Sequence, residues 1–162
     1  MIWVVELLAL FALFTLMVVP KVLKNPLSMV HDYPPDIYNR AMELGLVKEA
    51  QNRTSGKFLA KRTIAIVLTG VIFGFIVRYV NGADSFLAGA GYTYILWTAA
   101  NWYDALVIDC LWFCRSPRVV IPGTEGMAGY KDYLFHIKGA LKGMLLGIPA
   151  AVAAGIVVLL IP

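Results

Sequence analysis

Charge is scarce in this chain. Asp, Glu, Lys and Arg together make up 15% of its 162 residues, against roughly a quarter in an ordinary soluble domain. That is too little polar surface to solvate a water-soluble fold of this size. Cysteine is nearly absent. Cys110 and Cys114 are the only two, and at i,i+4 on one helix they have poor geometry for a disulfide, which excludes a disulfide-stapled secreted scaffold. Histidine is limited to His31 and His136, and no glycine-rich phosphate loop, nucleophile elbow or HExxH zinc motif occurs. A basic n-region is missing as well: Glu6 stands where a signal peptide carries positive charge, and no small-x-small site follows. The first apolar run therefore reads as a retained membrane span.

Apolar residues fill the space that charge leaves. They reach 60% of the chain, with a mean hydropathy of +0.74. The net charge of +4 and a pI near 9.1 resemble a nucleic-acid binder only until the charges are placed. They fall between apolar runs and not along one groove-reading element, so nucleic acid is excluded as a partner and membrane lipid takes its place.

Four runs are long enough to span: residues 2–20, 60–80, 86–114 and 137–161. The expected fold is all-α, a single domain of four transmembrane helices, with polar connections at 21–59 and 115–136. Within the first connection Pro34 and Pro35 suit the opening turn of a helix. Ile37, Ala41 and Leu44 follow at i, i+4, i+7 and make one apolar stripe, and Gly45 supplies a stop. The spacing predicts an amphipathic helix over 35–49, lying on the membrane or docked beneath the bundle. Thr54, Ser55 and Gly56 mark a joint, and Asn52-Arg53-Thr54 is a glycosylation sequon without meaning on a cytoplasmic loop. The segment 81–85 is a tight turn joining the second and third spans. Pro122-Gly123-Thr124-Glu125-Gly126 is a second set of turn residues.

Lysine and arginine set the orientation. Eight of them flank the first connection and five the second, and only Arg78 lies on the other side. By the positive-inside rule both connections are cytoplasmic and both termini extracytoplasmic.

The third run organises the rest. Phe86 to Cys114 carries Asn101, Trp102, Tyr103 and Asp104 near its middle, and Asp109 about one and a half turns further on. Acidic groups inside a span are rare and point to function by default. As a straight α-helix its 29 residues would cover about 43 Å, so it must tilt or extend past one surface. Asp109 lies about 9 Å inward from Arg115, and Lys142 lies at a similar depth on the fourth span, which makes it the expected partner. Glu6 and Arg78 are an expected structural pair at the outer face. Asp104 has no cation at its level, so it is either protonated or lines a wet cavity facing a cationic ligand, a metal or a proton path; the structural alternative is an Asn/Asp interhelical hydrogen bond that holds the bundle. Asn101, Asp104, Asp109, Lys142, Trp97 and Trp102 together are the candidate intramembrane pocket, the aromatic rings favouring a cation. At the cytoplasmic end Glu125 and His136 are candidates for acid–base chemistry. Asp109, Cys110, Cys114 and His136 match no zinc spacing, so neither a metal nor a cofactor is implied.

On the fourth span Gly139, Gly143, Gly147, Ala151 and Gly155 recur every fourth residue, a face on which another helix packs closely. Either the other spans fill it or a second copy does, and a homo-oligomer is the expectation. Pro149 is a candidate kink.

Asp32-Tyr33-Pro34-Pro35, Asn101-Trp102-Tyr103-Asp104, Asp109, Pro122-Gly123-Thr124-Glu125 and Phe135-His136 together resemble an uncharacterised family of small integral membrane proteins from Gram-positive bacteria of the gut and soil. The likeness spans most of the chain. It implies residence in a bacterial cytoplasmic membrane and transfers no catalytic residues. Three function classes follow from the residues. The first is a membrane-embedded binding or transport protein built on the third span. The second is a structural or interaction subunit. The third is an enzyme acting on a lipid head group through Asp109, Glu125 and His136.

Overall fold

The computed structural model describes residues 2–47 and 55–161, and all regular structure among them is helical. The long elements are α1 (Ile2–Lys24), α2 (Pro35–Glu43), α3 (Gly56–Tyr79), α4 (Phe86–Tyr103) and α5 (Tyr133–Leu160). Three of them, α1, α3 and α5, are long and apolar enough to cross a membrane.

The helix ends follow local chemistry. α1 does not stop at Pro20, as the apolar run predicts; it continues to Lys24. Proline removes one backbone hydrogen bond, which transmembrane-type helices tolerate. Asn25 then accepts from the Leu27 N–H at 3.0 Å and starts a 3-10 turn, Pro26–Asp32. α2 begins at Pro35 and ends at Glu43, with Gly45 at φ 69°, a conformation that glycine adopts without a Cβ clash. The predicted extension to residue 49 falls partly outside the described residues, as do Asn52-Arg53-Thr54 and the start of the predicted joint. Ser55, the remainder of that joint, caps α3 by accepting from the Phe58 N–H at 3.2 Å. α5 starts four residues earlier than the apolar run. Asp132 accepts from the Phe135 N–H at 2.9 Å, so His136 already belongs to the helix. α5 runs on through Pro149.

The third run is not one α-helix. α4 passes into a nine-residue π-helix, Asp104–Trp112, and then a 3-10 turn, Phe113–Arg115. A π-helix bonds i to i+5 and is seldom longer than one turn. Its presence changes which side chains share a face, and both carboxylates of the run lie inside it.

The chain divides into two compact units. One comprises Met1–Leu7, Asn52–Asn101 and Leu141–Pro162; the other comprises Leu8–Gln51 and Trp102–Ala140. In the first unit, glycines let helices approach. A Cβ at Gly70 would strike the Ala150 backbone, and one at Gly74 would lie 2.7 Å from Val157 Cβ. The small-residue face of α5 is filled from within the chain: Asn101 occupies the space beside Gly143, Trp97 that beside Gly147 and Phe86 that beside Gly155, while Gly139 has open space. Trp97 also donates its indole N–H to the Gly143 carbonyl at 3.0 Å. The expected Glu6–Arg78 pair is replaced by contacts with uncharged partners. Asn81 Nδ2 donates to both Glu6 oxygens at 2.9 and 3.0 Å, and Arg78 donates to the Ala83 carbonyl at 3.0 Å. Counting turns gives depth along a helix and not which nearby amide reaches the carboxylate first.

The second unit has its own core, built largely from the two connections. Ile37 and Ala41 of α2 are fully buried against Tyr33, Val119, Ile121 and Tyr130, so α2 is a docked helix. Leu44, the third residue of its stripe, stays 39% exposed. The buried hydroxyls of this core are paired. Tyr33 donates to the Val119 carbonyl at 3.0 Å. Thr124 donates to the Ile121 carbonyl at 2.7 Å, which uses its one hydrogen, so Tyr130 donates to Thr124 at 2.7 Å while accepting from the Ile121 N–H at 2.9 Å. Asp36 ties α2 to the second connection by accepting from the Gly129 N–H at 2.9 Å.

Candidate functional site

A small cleft of about 40 Å³, partly open to the outside, lies within the second unit. Four segments build it. The end of α1 contributes Val18 and Val22, the 3-10 turn and its exit contribute Met29, Asp32 and Tyr33, and the π-helix contributes Ile108, Asp109 and Trp112, with Phe113 just after it. His136, in the first turns of α5, completes the lining.

Its central feature is a carboxylate–imidazole pair. His136 Nδ1 lies 2.9 Å from Asp109 Oδ2. A carboxylate oxygen accepts in this contact, so Nδ1 is the donor. The imidazole is fixed edge-on between Phe113, at 5.4 Å and 65°, and Phe135, at 5.3 Å and 84°. His136 is 5% exposed, and its Nε2 is buried with no hydrogen-bond partner among the described residues. A buried polar atom left unpaired costs on the order of 1–3 kcal/mol. Asn81 Oδ1, Thr93 Oγ1 and Thr98 Oγ1 share that condition, but none of them belongs to this cleft. The site is thus an imidazole oriented by a carboxylate on the wall of a cleft.

Two carboxylates, Asp32 and Asp109, line the cleft together with the His136 imidazole. Asp104 stands within electrostatic reach of Asp109, His136 and Asp32. In an α-helix residues five apart point about 140° from one another. The i to i+5 bonding of the π-helix instead puts Asp104 and Asp109 about one turn apart on nearly one face.

The predicted pocket residues are drawn from both units. Asp109 lines the cleft, Asp104 stands near it, and Trp102 is half-buried outside its lining. Asn101 and Trp97 belong to the first unit and pack beside the α5 glycines; Lys142 belongs there too and is exposed. The partner the structure gives Asp109 is His136, where the depth count named Lys142. Glu125 does not share the cleft with His136. It is exposed, and its carboxylate accepts from the Gly123 N–H at 2.9–3.0 Å, bonds that hold its acidity below the usual carboxylate value. Among the described residues no three His, Cys, Asp or Glu side chains group as metal ligands. Cys110 and Cys114 are separate, buried free thiols.

Asp32, Tyr33 and Trp112 are cleft residues that the candidate pocket omits. Their signal lay in the Asp32-Tyr33-Pro34-Pro35 run: a carboxylate and an aromatic ring placed just before a proline-initiated helix whose apolar stripe docks it. No protein-family model, curated protein or solved structure matches this chain.

Proposed function

We propose that this chain is a small multi-pass membrane protein that binds a polar small molecule, with the Asp109–His136 cleft as its ligand site. Three apolar helices and a fourth run extended by its π-helix are consistent with four crossings of a bacterial cytoplasmic membrane. The distribution of lysine and arginine favours extracytoplasmic termini and cytoplasmic connections. On that topology the second unit's core sits at the cytoplasmic face, and the cleft is reached from that side.

The observation that carries the proposal is the unpaired His136 Nε2 in a lined cleft. The carboxylate orients the ring, and its second nitrogen has no partner among the described residues. An acyl- or phosphoryl-transfer enzyme would need a cationic or amide cradle for developing negative charge beside the imidazole, and two carboxylates line the cleft instead. Because the small-residue face of α5 is filled by Asn101, Trp97 and Phe86, binding requires no second copy of the chain.

The test is thermal stability of the purified protein in detergent, against a panel of small amines, alcohols and carboxylates. A ligand specific to the folded state raises the melting temperature by mass action. At least one compound is expected to stabilise the wild type and to lose that effect in His136→Gln and Asp109→Asn. A panel that leaves the wild type unchanged, or that shifts wild type and variants equally, overturns the proposal.

A further inference from the structure

We infer that Lys61 and Arg62 of α3, with Lys142 of α5, hold the head group of an anionic phospholipid. The inference rests on the chain residing in a membrane and is independent of the Asp109–His136 cleft. It starts from where the charge lies. The net charge of +4 belongs wholly to the first unit: six Lys and Arg stand there against two Asp and Glu, while the second unit has eight of each. The two acids of the first unit are at the far end of α3 from Lys61 and Arg62. Glu6 accepts from Asn81, just past the end of that helix, and Asp84 stands in the link to α4. α3 itself contains no acidic residue. Lys61, Arg62 and Lys142 are exposed, and none of them pairs with a carboxylate among the described residues.

Packing within the first unit brings the three cations to one level. Gly70 lies against Ala150, and Gly74 against Ala154. α3 and α5 therefore run side by side in the same direction, residue for residue. Counted back by the same eight residues from Gly70 and Ala150, Arg62 comes level with Lys142. Side chains on a helix lean toward its N-terminus, so all three cations lean toward the same membrane surface, where long basic side chains place their charge. The depth agrees. From Arg62 to Tyr79 α3 covers about 26 Å, close to the ~30 Å of a hydrocarbon core. Tyr79, 70% exposed, then stands at the opposite boundary, where aromatic rings gather.

The surface beyond the cations is apolar, which decides between a lipid and a soluble anion. From Gly56 to Thr69 no residue of α3 is buried. Ile64, Leu68 and Ile72, four residues apart, are each more than half exposed, as is Leu145 one turn after Lys142. A phosphodiester at the cations would place its acyl chains along these side chains. An acidic protein segment has nothing to put there.

The purified full-length chain, in an uncharged detergent, is titrated separately with dioleoyl phosphatidylglycerol and dioleoyl phosphatidylcholine, and bound lipid is counted by native mass spectrometry. Phosphatidylglycerol is expected to bind about a hundredfold tighter, about fivefold for each of three cations. Lys142→Gln should weaken it about fivefold, and Lys61→Gln with Arg62→Gln about twentyfold. Lys21→Gln with Lys24→Gln removes the same charge from the second unit and should leave binding within about twofold of wild type. Equal affinity of the wild type for the two lipids overturns the inference without recourse to any variant. So does an equal loss in the two double variants, which would make the preference a property of total charge. Glycerol 1-phosphate carries the anion without acyl chains; if it binds as tightly as phosphatidylglycerol, the cations serve a soluble phosphate and the lipid assignment falls.

Discussion

His136 Nδ1 and Asp109 Oδ2 meet at 2.9 Å, although they come from segments 27 positions apart that fold for separate reasons. Asp132 starts α5 early enough to place His136 on the helix. The π-helix turns Asp109 toward it. The pair should therefore behave as an energetic unit. In a double-mutant cycle of Asp109→Ala and His136→Gln, measured by denaturant unfolding in detergent, the expected coupling energy is about 1–2 kcal/mol. Asp109→Ala should destabilise more than Asp109→Asn, since the amide can still accept from Nδ1 through its oxygen. Additive single effects would show that the contact does not act as a pair.

Tyr33 gives the second unit an alkaline limit. Burial, and after it the charge on nearby Tyr130, pushes its phenol well above the ordinary tyrosine value of 10.0. The folded state therefore resists an ionisation that the unfolded chain undergoes freely. The stability linked to this group is fully present below pH 10 and declines as pH rises from there toward the folded-state value. Tyr33→Phe cannot ionise at this position. Near neutral pH it should lose about 1–3 kcal/mol, because the buried Val119 carbonyl is left without its donor. Above pH 10 the gap to wild type should narrow. Unfolding curves collected from pH 7 to 11 read both effects, and a gap that stays constant across that range would contradict the assigned cause.

What the sequence disclosed, and what it hid, follows from which interactions are periodic. Apolar runs, the proline start of α2 and its glycine stop depend on local residues, and they are legible. So is the alternation of small residues on α5, whose partners Trp97 and Asn101 sit at the same four-residue spacing on α4. The Asp104–Asp109 relationship was not legible, because it depends on an i to i+5 register for which no residue in the run is a signal. α-helical counting put Asp109 about one and a half turns beyond Asp104, and only their shared acidity grouped them in one candidate pocket. Glu6 met Asn81 instead of Arg78 because a turn residue folded back onto it, and turn geometry does not show in hydropathy. The core of the second unit was hidden for a further reason: it joins two polar connections far apart in sequence, and only the α2 stripe announced that anything would dock.

The packing of the first unit can be tested at two glycines on neighbouring helices. Gly70 faces backbone: a Cβ added there would meet the Ala150 carbonyl oxygen and Cα, and backbone cannot swing aside as a side chain does. At Gly91 an added Cβ would have nothing within 4 Å of it. Both lie inside helices, so both substitutions to alanine gain the same propensity, roughly 0.5–1 kcal/mol. At Gly91 that gain should stand, and Gly91→Ala is expected to be neutral or slightly stabilising. At Gly70 forced separation of α3 and α5 should outweigh it, with a net loss of about 1–3 kcal/mol, the usual scale of overpacking. Gly74→Ala should fall between them, since its nearest obstacle is the Val157 side chain. Melting temperatures of the three variants in one detergent give the order directly. Equal tolerance at Gly70 and Gly91 would mean that α3 and α5 do not approach at Ala150.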